Sequence, residues 1–318
     1  MTGAARVVEY DRFGGPDVLV VREREIRDPG RGEVLVRVRA AALNPKDIIV
    51  QSGKYFLHRI LGGTRFPKRL GYDWSGTCVA TRVPGIREGD ALHGMIDGWA
   101  AGACATHAIV RARELAPRPA SLSWEEAAAV PLAALTALQA LRDVARTSPG
   151  ARVLVNGASG GVGTFAVQIA KALGATVTAV TSSRNAELVR SLGADRAIDY
   201  AAGDVCGSVG IQDVILDVFG NRSFGWARPL LSGRGVYVST LPKGHVVRDI
   251  LLTVLSRKRA GLVRVASRAD DLVTLGRWLD EGAIRPVVDR VFALDDVVRA
   301  ERHLATRRAR GKVVIRID

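Results

Sequence analysis

Cysteine is scarce in this chain. Only Cys78, Cys104 and Cys206 occur, and none stands in a C-x-x-C pair. Such usage excludes a disulfide framework and fits a reducing compartment. Five histidines are present, at 58, 93, 107, 245 and 303, without the paired spacing of a metal site; each reads as structural or exposed. No stretch approaches the roughly 18 uncharged apolar residues of a membrane span. The N-terminal segment MTGAARVVEYDRFGG lacks the apolar core of a signal peptide, so the cytoplasm is the expected compartment. Lysine is rare too, at seven residues against 39 arginines, and the net charge is +14. The basic residues are spread along the chain. Their densest group, Arg299, Arg302, Arg307, Arg308, Arg310 and Lys312, reads as the exposed face of a C-terminal helix and the turn after it. No nucleic-acid-binding motif accompanies the charge, so neither a nucleic acid nor a membrane is expected as partner.

What is present is a folded, soluble composition, 47% hydrophobic and 25% charged. A length of 318 residues exceeds what one core serves, so two domains are expected. Residues 34–39, VLVRVR, largely alternate as a half-buried strand does. Up to about residue 120, short apolar runs are broken at Gly14-Gly15-Pro16, Asp28-Pro29-Gly30 and Gly89-Asp90, the pattern of a β-rich, barrel-like unit. Ser123 with Glu126 forms a capping box ahead of Ala127–Ala129. From residue 152, strands at 152–155, 176–181, 197–199, 213–217 and 235–239 alternate with helices at 162–173 and 186–192. That alternation predicts a parallel sheet with helices on its faces. The remainder reads as helices near 271–281 and 295–305 and strands near 287–292 and 312–317.

The informative stretch is VLVNGASGGVGTFAVQIAKALGA, residues 153–175. An apolar strand enters Gly157-Ala158-Ser159-Gly160-Gly161-Val162-Gly163 and a helix begins at once, the dinucleotide fingerprint in its required context. Gly160 lets the backbone approach a pyrophosphate, Gly163 lets helix and sheet pack closely, and the helix N-terminus offers N–H groups to phosphate. Ala158 replaces the first glycine of the pattern. An acid about 20 residues on would bind the ribose 2′-OH. The chain instead has Thr181-Ser182-Ser183-Arg184-Asn185, with no acid before Glu187. Hydroxyls and a guanidinium suit the 2′-phosphate of NADPH.

These motifs, with Asn44-Pro45-Lys46-Asp47, Gly71-Tyr72-Asp73-Trp74-Ser75-Gly76, Pro131–Ala137, Leu192-Gly193-Ala194-Asp195, Asp199-Tyr200 and the stretch from Glu281-Gly282 to Lys312-Val313-Val314, occur in order over nearly the whole chain. It resembles the zinc-free branch of the medium-chain dehydrogenases/reductases, the quinone oxidoreductases and zeta-crystallin. The resemblance implies an α/β architecture: a GroES-like β-barrel catalytic domain (1–122 and 268–318) and a Rossmann-fold, doubly wound parallel-sheet cofactor domain (123–267). It implies NADPH, with Asn44 and Thr136 at the nicotinamide and its ribose, and Ser159, Gly160, Gly161, Val162 and Gly163 at the pyrophosphate. Ser182, Ser183 and Arg184 would meet the 2′-phosphate, with Tyr200 beside it or the adenine. Val218, Phe219, Ser239 and Leu241 would lie along the nicotinamide side, and Lys312 joins the cofactor set.

Zinc-dependent relatives carry a cysteine at the position of Asn44 and a His-Glu pair at Tyr72-Asp73. Asn, Tyr and Asp make no Cys/His tetrahedral site, and the four closely spaced cysteines of the structural zinc lobe are missing as well. No metal is expected. Hydride transfer to an already electrophilic acceptor, a quinone or an enone, is the activity the resemblance implies. Tyr55 and Tyr72 are candidate proton donors, and water is a third source. The loop from Tyr55 to Pro67 reads as a substrate wall, which leaves a dedicated biosynthetic ene-reductase acting on an acyl-linked or larger enone as an alternative. A non-enzymatic NADPH-binding protein is another. A homodimer is expected, joined through the last Rossmann strand near Leu262–Val265.

Overall fold

A computed structural model places the strands, sixteen among the described residues, in three sheets. It describes residues 3–53, 65–98, 101–203 and 205–317. In chain order the strands are β1 Ala4–Tyr10, β2 Val20–Glu25, β3 Glu33–Leu43, β4 Lys68–Arg69, β5 Asp73–Thr81, β6 Ala91–Met95, β7 His107–Arg111 and β8 Leu115–Pro117. Then come β9 Arg152–Asn156, β10 Thr176–Thr181, β11 Arg196–Asp199, β12 Gln212–Asp217, β13 Leu231–Ser239, β14 Arg259–Leu262, β15 Val288–Ala293 and β16 Lys312–Arg316.

The chain divides into two units. One comprises residues 1–132, 266–281 and 286–318, the other residues 133–265 and 282–285. In the first, a seven-stranded sheet runs β15-β16-β3-β5-β6-β8, with β7 also on β3, and a small sheet runs β2-β1-β4. Its core holds Val34, Val36, Val38, Trp74, Leu92, Val110, Val313 and Ile315. The capping box forms as read: Ser123 Oγ accepts from the Glu126 N–H at 3.2 Å, and Glu126 accepts from the Ser123 N–H. The helix it opens packs Ala128 and Ala129 on Ala40, Ala42 and Val314. Residues 123–132 therefore belong with the barrel rather than with the cofactor domain, because their small side chains are buried against its strands. Cys78 and Cys104 are buried there as small apolar groups. His93 is wholly buried, and desolvation pulls its pKa down to about 4.

The second unit is a parallel six-stranded sheet in the order β11-β10-β9-β12-β13-β14. Strand order reverses between β9 and β12, the switch point at which such sheets bind ligands beyond their carboxyl ends. The last strand lies at Arg259–Leu262, earlier than the expected 262–265. Val263, just past the strand's end, is still tied by its N–H to Ser239 O at 3.1 Å. Five helices among the described residues escaped the sequence reading, Pro45–Ser52, Pro131–Leu138, Val205–Val209, Phe224–Ala227 and Gly244–Thr253. Pro131–Leu138 is apolar all round, hence buried, and Gly244–Thr253 is amphipathic. Among the described residues no helix is long and apolar enough to cross a membrane.

Candidate functional site

In the second unit the strand β9 ends at Asn156, and the chain turns through Gly157 at φ 83° into the helix Gly161–Ala172. A Cβ on Gly163 would lie 2.1 Å from Gly157 O and 2.7 Å from Ala158 Cα, so the helix seats on the strand only without a side chain there. At Gly160 the nearest atom to such a Cβ is 3.7 Å away. That glycine leaves open room where a bulky anion could approach the backbone. Helix geometry leaves the N–H groups of Gly161, Val162 and Gly163 without intrahelical acceptors, and no side chain caps them. The Ser159 hydroxyl accepts from Thr181 Oγ1 at 2.9 Å and from Asn185 Nδ2 at 3.0 Å, so its own proton remains available to a ligand.

At the end of β10, Ser182 Oγ is buried with no partner among the described residues, while Ser183 and Arg184 are exposed. The nearest carboxylate in register is Asp199, opposite Thr181; its Oδ1 accepts from the Ala201 N–H at 2.9 Å. Tyr200 is 58% exposed. On the other side of the switch point, Val218 and Phe219 follow β12, and Ser239 and Leu241 follow β13. A Cβ on Gly157 would come within 3.2 Å of Phe219, and one on Gly220 within 2.5 Å of Leu241, so these turns touch. Asp217 fastens this corner. It accepts from Asn156 Nδ2 at 2.7 Å and from the N–H groups of Gly220 and Arg222 at 2.9 Å, with Tyr237 OH 3.0 Å away. Thr136 is buried within the apolar helix Pro131–Leu138.

In the first unit a buried ionic cluster joins three strand ends. Antiparallel pairing sets Val313 opposite Leu43 and Ala42 opposite Asp73, so the next residues, Asn44 and Lys312, meet beside Asp73. Lys312 Nζ donates to Asp73 Oδ2 at 2.9 Å and to Asn44 Oδ1. Asn44 Nδ2 donates to Asp73 Oδ2 at 3.0 Å, and Asp73 Oδ1 accepts from the Leu132 N–H at 2.8 Å. All three side chains are at most 3% exposed. Lys312 is thus not on the exposed basic face predicted for the C-terminal segment. Its stem is drawn into the sheet, where Asp73 compensates the buried charge. Asn44 opens the helix Pro45–Ser52, yet its side chain does not cap it. Asp47 does that work: Oδ2 accepts from the Asn44 N–H at 2.7 Å and Oδ1 from the Gly71 N–H at 3.0 Å, while burial pushes its pKa up to about 6.

Tyr72 lies next to this cluster with its hydroxyl buried and without a partner among the described residues. Burial, with Asp47 and Tyr10 nearby, holds the phenol neutral far above its ordinary range. Lys46 Nζ sits 3.8 Å from the centre of the Tyr72 ring. The other candidate donor, Tyr55, lies outside the described residues, as does most of the segment read as a substrate wall. Among the described residues no group of three His, Cys, Asp or Glu side chains could hold a metal ion. Sequence reasoning missed the fastening role of Asp217 and the position of Lys46. The first was visible only as a strand-end acid and the second only as one letter of the Asn44–Asp47 motif.

Residues 30–120 match the model of the alcohol dehydrogenase GroES-like domain, and residues 192–315 match that of the zinc-binding dehydrogenases. The mitochondrial NAD(P)H oxidoreductase RTN4IP1 of Mus musculus is 34% identical, with 90% of this chain and 82% of that protein aligned. The trans-enoyl reductase pgmF of Aspergillus terreus is 33% identical over 91% of this chain and 87% of its own. The solved quinone oxidoreductase of Coxiella burnetii superposes with a TM-score of 0.92 at 29% identity, covering 99% of this chain and all of that one. Fold, strand order, glycine turn and aligned relatives agree: the chain belongs to the medium-chain dehydrogenase/reductase family, with a GroES-like domain, a Rossmann domain and quinone oxidoreductases among its relatives.

Proposed function

We propose that the chain is an NADPH-dependent reductase that delivers hydride to a quinone or an α,β-unsaturated carbonyl without a metal ion. The observation that carries this reading is the Asn44–Asp73–Lys312 cluster. Asn44 and Asp73 stand where zinc-dependent relatives carry ligands, and here the Lys312 ammonium already binds both. A lysine cation orients groups and offsets charge, but it does not acidify an alcohol as zinc does, which favours reduction of an acceptor that is electrophilic by itself. The names of the aligned relatives, a quinone oxidoreductase and a trans-enoyl reductase, support the same acceptor classes.

The residues fit the cofactor. Gly160 leaves space for a pyrophosphate, with the free N–H groups of Gly161, Val162 and Gly163 and the Ser159 hydroxyl directed to its charge. The unpartnered Ser182 hydroxyl, with Ser183 and Arg184, suits a 2′-phosphate, and Tyr200 would lie beside it. Val218, Phe219, Ser239, Leu241 and Thr136 would lie on the nicotinamide side of the cofactor domain. When bound, NADPH supplies a hydride from its nicotinamide ring. Lys312 holds the Asn44 amide in one orientation.

Three unpaired cysteines favour a reducing compartment such as the cytoplasm. The open edge of β14, flanked by exposed Leu251, Leu252, Val254 and Leu255, favours a homodimer. The test is NADPH oxidation with a panel of small quinones, larger conjugated ketones and simple alcohols. Turnover of quinones or enones with poor alcohol oxidation is expected. Robust ethanol oxidation without added metal would overturn the reading. NADPH binding without turnover of any acceptor would leave a non-enzymatic binder, and turnover restricted to large enones a dedicated ene-reductase.

A further inference from the structure

Lys46 has an unusual setting for a lysine. It lies in the first turn of the helix Pro45–Ser52, where a cation meets the positive end of the helix dipole and is disfavoured. Its stem nevertheless turns inward, and the side chain is half-buried. The ammonium rests on the face of the Tyr72 ring at 3.8 Å and, among the described residues, has one hydrogen-bond acceptor, Gly98 O, at a long 3.4 Å. Among the described residues no carboxylate lies within ion-pair distance of it. An ammonium has three N–H donors, so this one holds spare donor capacity in a partly dry setting. The charged groups that face it are Asp47 on its own helix, Asp73 at the start of β5 and Asp97 after β6. Burial lowers its pKa from the ordinary lysine value, and the three carboxylates pull the other way.

We propose that Lys46 is the catalytic residue that binds the substrate oxygen and protonates it. This assignment rests on the reductase reading above. Hydride addition to the β-carbon of an enone, or to a quinone, leaves two electrons in the acceptor and a negative charge on its oxygen. The Lys46 ammonium faces that oxyanion, donates one proton to it to give the enol or hydroquinone, and is left as a neutral amine that regains a proton from water. Tyr72 is then the platform that holds the ammonium in place, not the acid. A desolvated amine suits the role, because lowering its pKa toward neutrality makes it a better acid while keeping it charged.

The experiment uses the full chain with Lys46→Met, which keeps the length of the side chain and removes its charge, and Lys46→Arg, which keeps the charge. A phenolate probe, 4-nitrophenol above its pKa, stands in for the hydroquinone anion. Its affinity should fall about 10- to 150-fold in Lys46→Met, the range for one lost hydrogen bond to a charged group, and return largely in Lys46→Arg. With NADPH and 1,2-naphthoquinone, kcat should fall about 100- to 1,000-fold in Lys46→Met, as for loss of an oxyanion donor, with NADPH affinity unchanged. Wild-type kcat should decline with rising pH at a pKa below that of an ordinary lysine, and Lys46→Met should lack that decline. Equal phenolate affinity in wild type and Lys46→Met, or an unchanged pH profile, would overturn the assignment. If the wild type reduces neither quinones nor enones, the reductase reading falls, while the phenolate comparison still decides whether Lys46 meets an oxyanion. A misfolded Lys46→Met would show in its thermal melt, and Lys46→Arg would then carry the pH comparison.

Discussion

Replacing Lys312 by methionine isolates the buried cluster on which the metal-free reading depends. Lys312 and Asp73 are 3% and 0% exposed and 2.9 Å apart. Removing one partner of such a pair leaves an uncompensated buried charge and costs about 3–5 kcal/mol. Asp73 keeps two donors, the Leu132 N–H at 2.8 Å and Asn44 Nδ2 at 3.0 Å. Those contacts place the expected loss at the lower end, about 3 kcal/mol. For a cooperative unit of this size each kcal/mol moves Tm by about 2–4 °C, so a fall of roughly 6–12 °C is expected. Adding Asp73→Asn removes the stranded charge, and the double variant should recover much of the loss because no ion is left in the dry interior. Thermal unfolding of wild type, Lys312→Met, Asp73→Asn and the double variant in one buffer measures this. A Lys312→Met variant as stable as wild type, or a double variant no better than Lys312→Met alone, would refute the argument that the pair is the compensating element.

Glu301 is 1% exposed, and burial pushes its pKa up to about 7, with the Gln51 side chain pulling the other way and Asp47 and Asp17 adding repulsion. A raised carboxyl pKa stabilises the fold below the unfolded value and loses that contribution as pH climbs to about 7. Denaturation of Glu301→Gln between pH 4.5 and 8 should therefore lack a decline of up to about 3 kcal/mol seen in wild type; equal slopes would count against it. Arg184→Ala should weaken NADPH about 10- to 150-fold, toward the lower figure because the side chain is exposed, and leave NADH nearly unchanged. Equal loss for both cofactors in a titration would reduce that turn to a helix cap. Activity should survive chelators, and elemental analysis should find no stoichiometric zinc; one zinc per chain would sink the metal-free reading.

Local chemistry made much of the second unit legible in advance. The run from Arg152 to Asn156, the glycines at 157, 160 and 163 and the periodic helix after them act through contacts within a few residues, so the strand, turn and helix could be read in order. The absence of an acid between Thr181 and Glu187 bore on cofactor choice in the same way. The Ser123–Glu126 capping box spans one turn and formed as written. Where packing decides, the sequence misled. Residues 123–132 looked like the entry to the cofactor domain, but Ala128 and Ala129 pack on Ala40, Ala42 and Val314. The last sheet strand was expected around Leu262–Val265, yet pairing with Val236–Ser239 selects Arg259–Leu262.

The site in the first unit shows the same division. Asn44, Tyr72 and Asp73 could be picked out by their place in the motifs, but nothing local revealed which cation meets the buried Asp73. Lys312 stands 268 positions from Asn44 in a strongly basic stretch, and its neighbours promised an exposed face. Only the antiparallel pairing of β16 on β3 and of β3 on β5 carries its ammonium to Asp73. Lys46 is the converse case, since it was visible in its motif from the start while its contact with Tyr72 was not. The sequence by itself determined the strand, glycine turn and helix from Arg152 to Ala172 and the absence of a Cys/His ligand set, because these depend on near neighbours. Tertiary structure alone decided which charges are buried, which donors remain unpaired and which distant side chains meet, because those follow from strand register and desolvation.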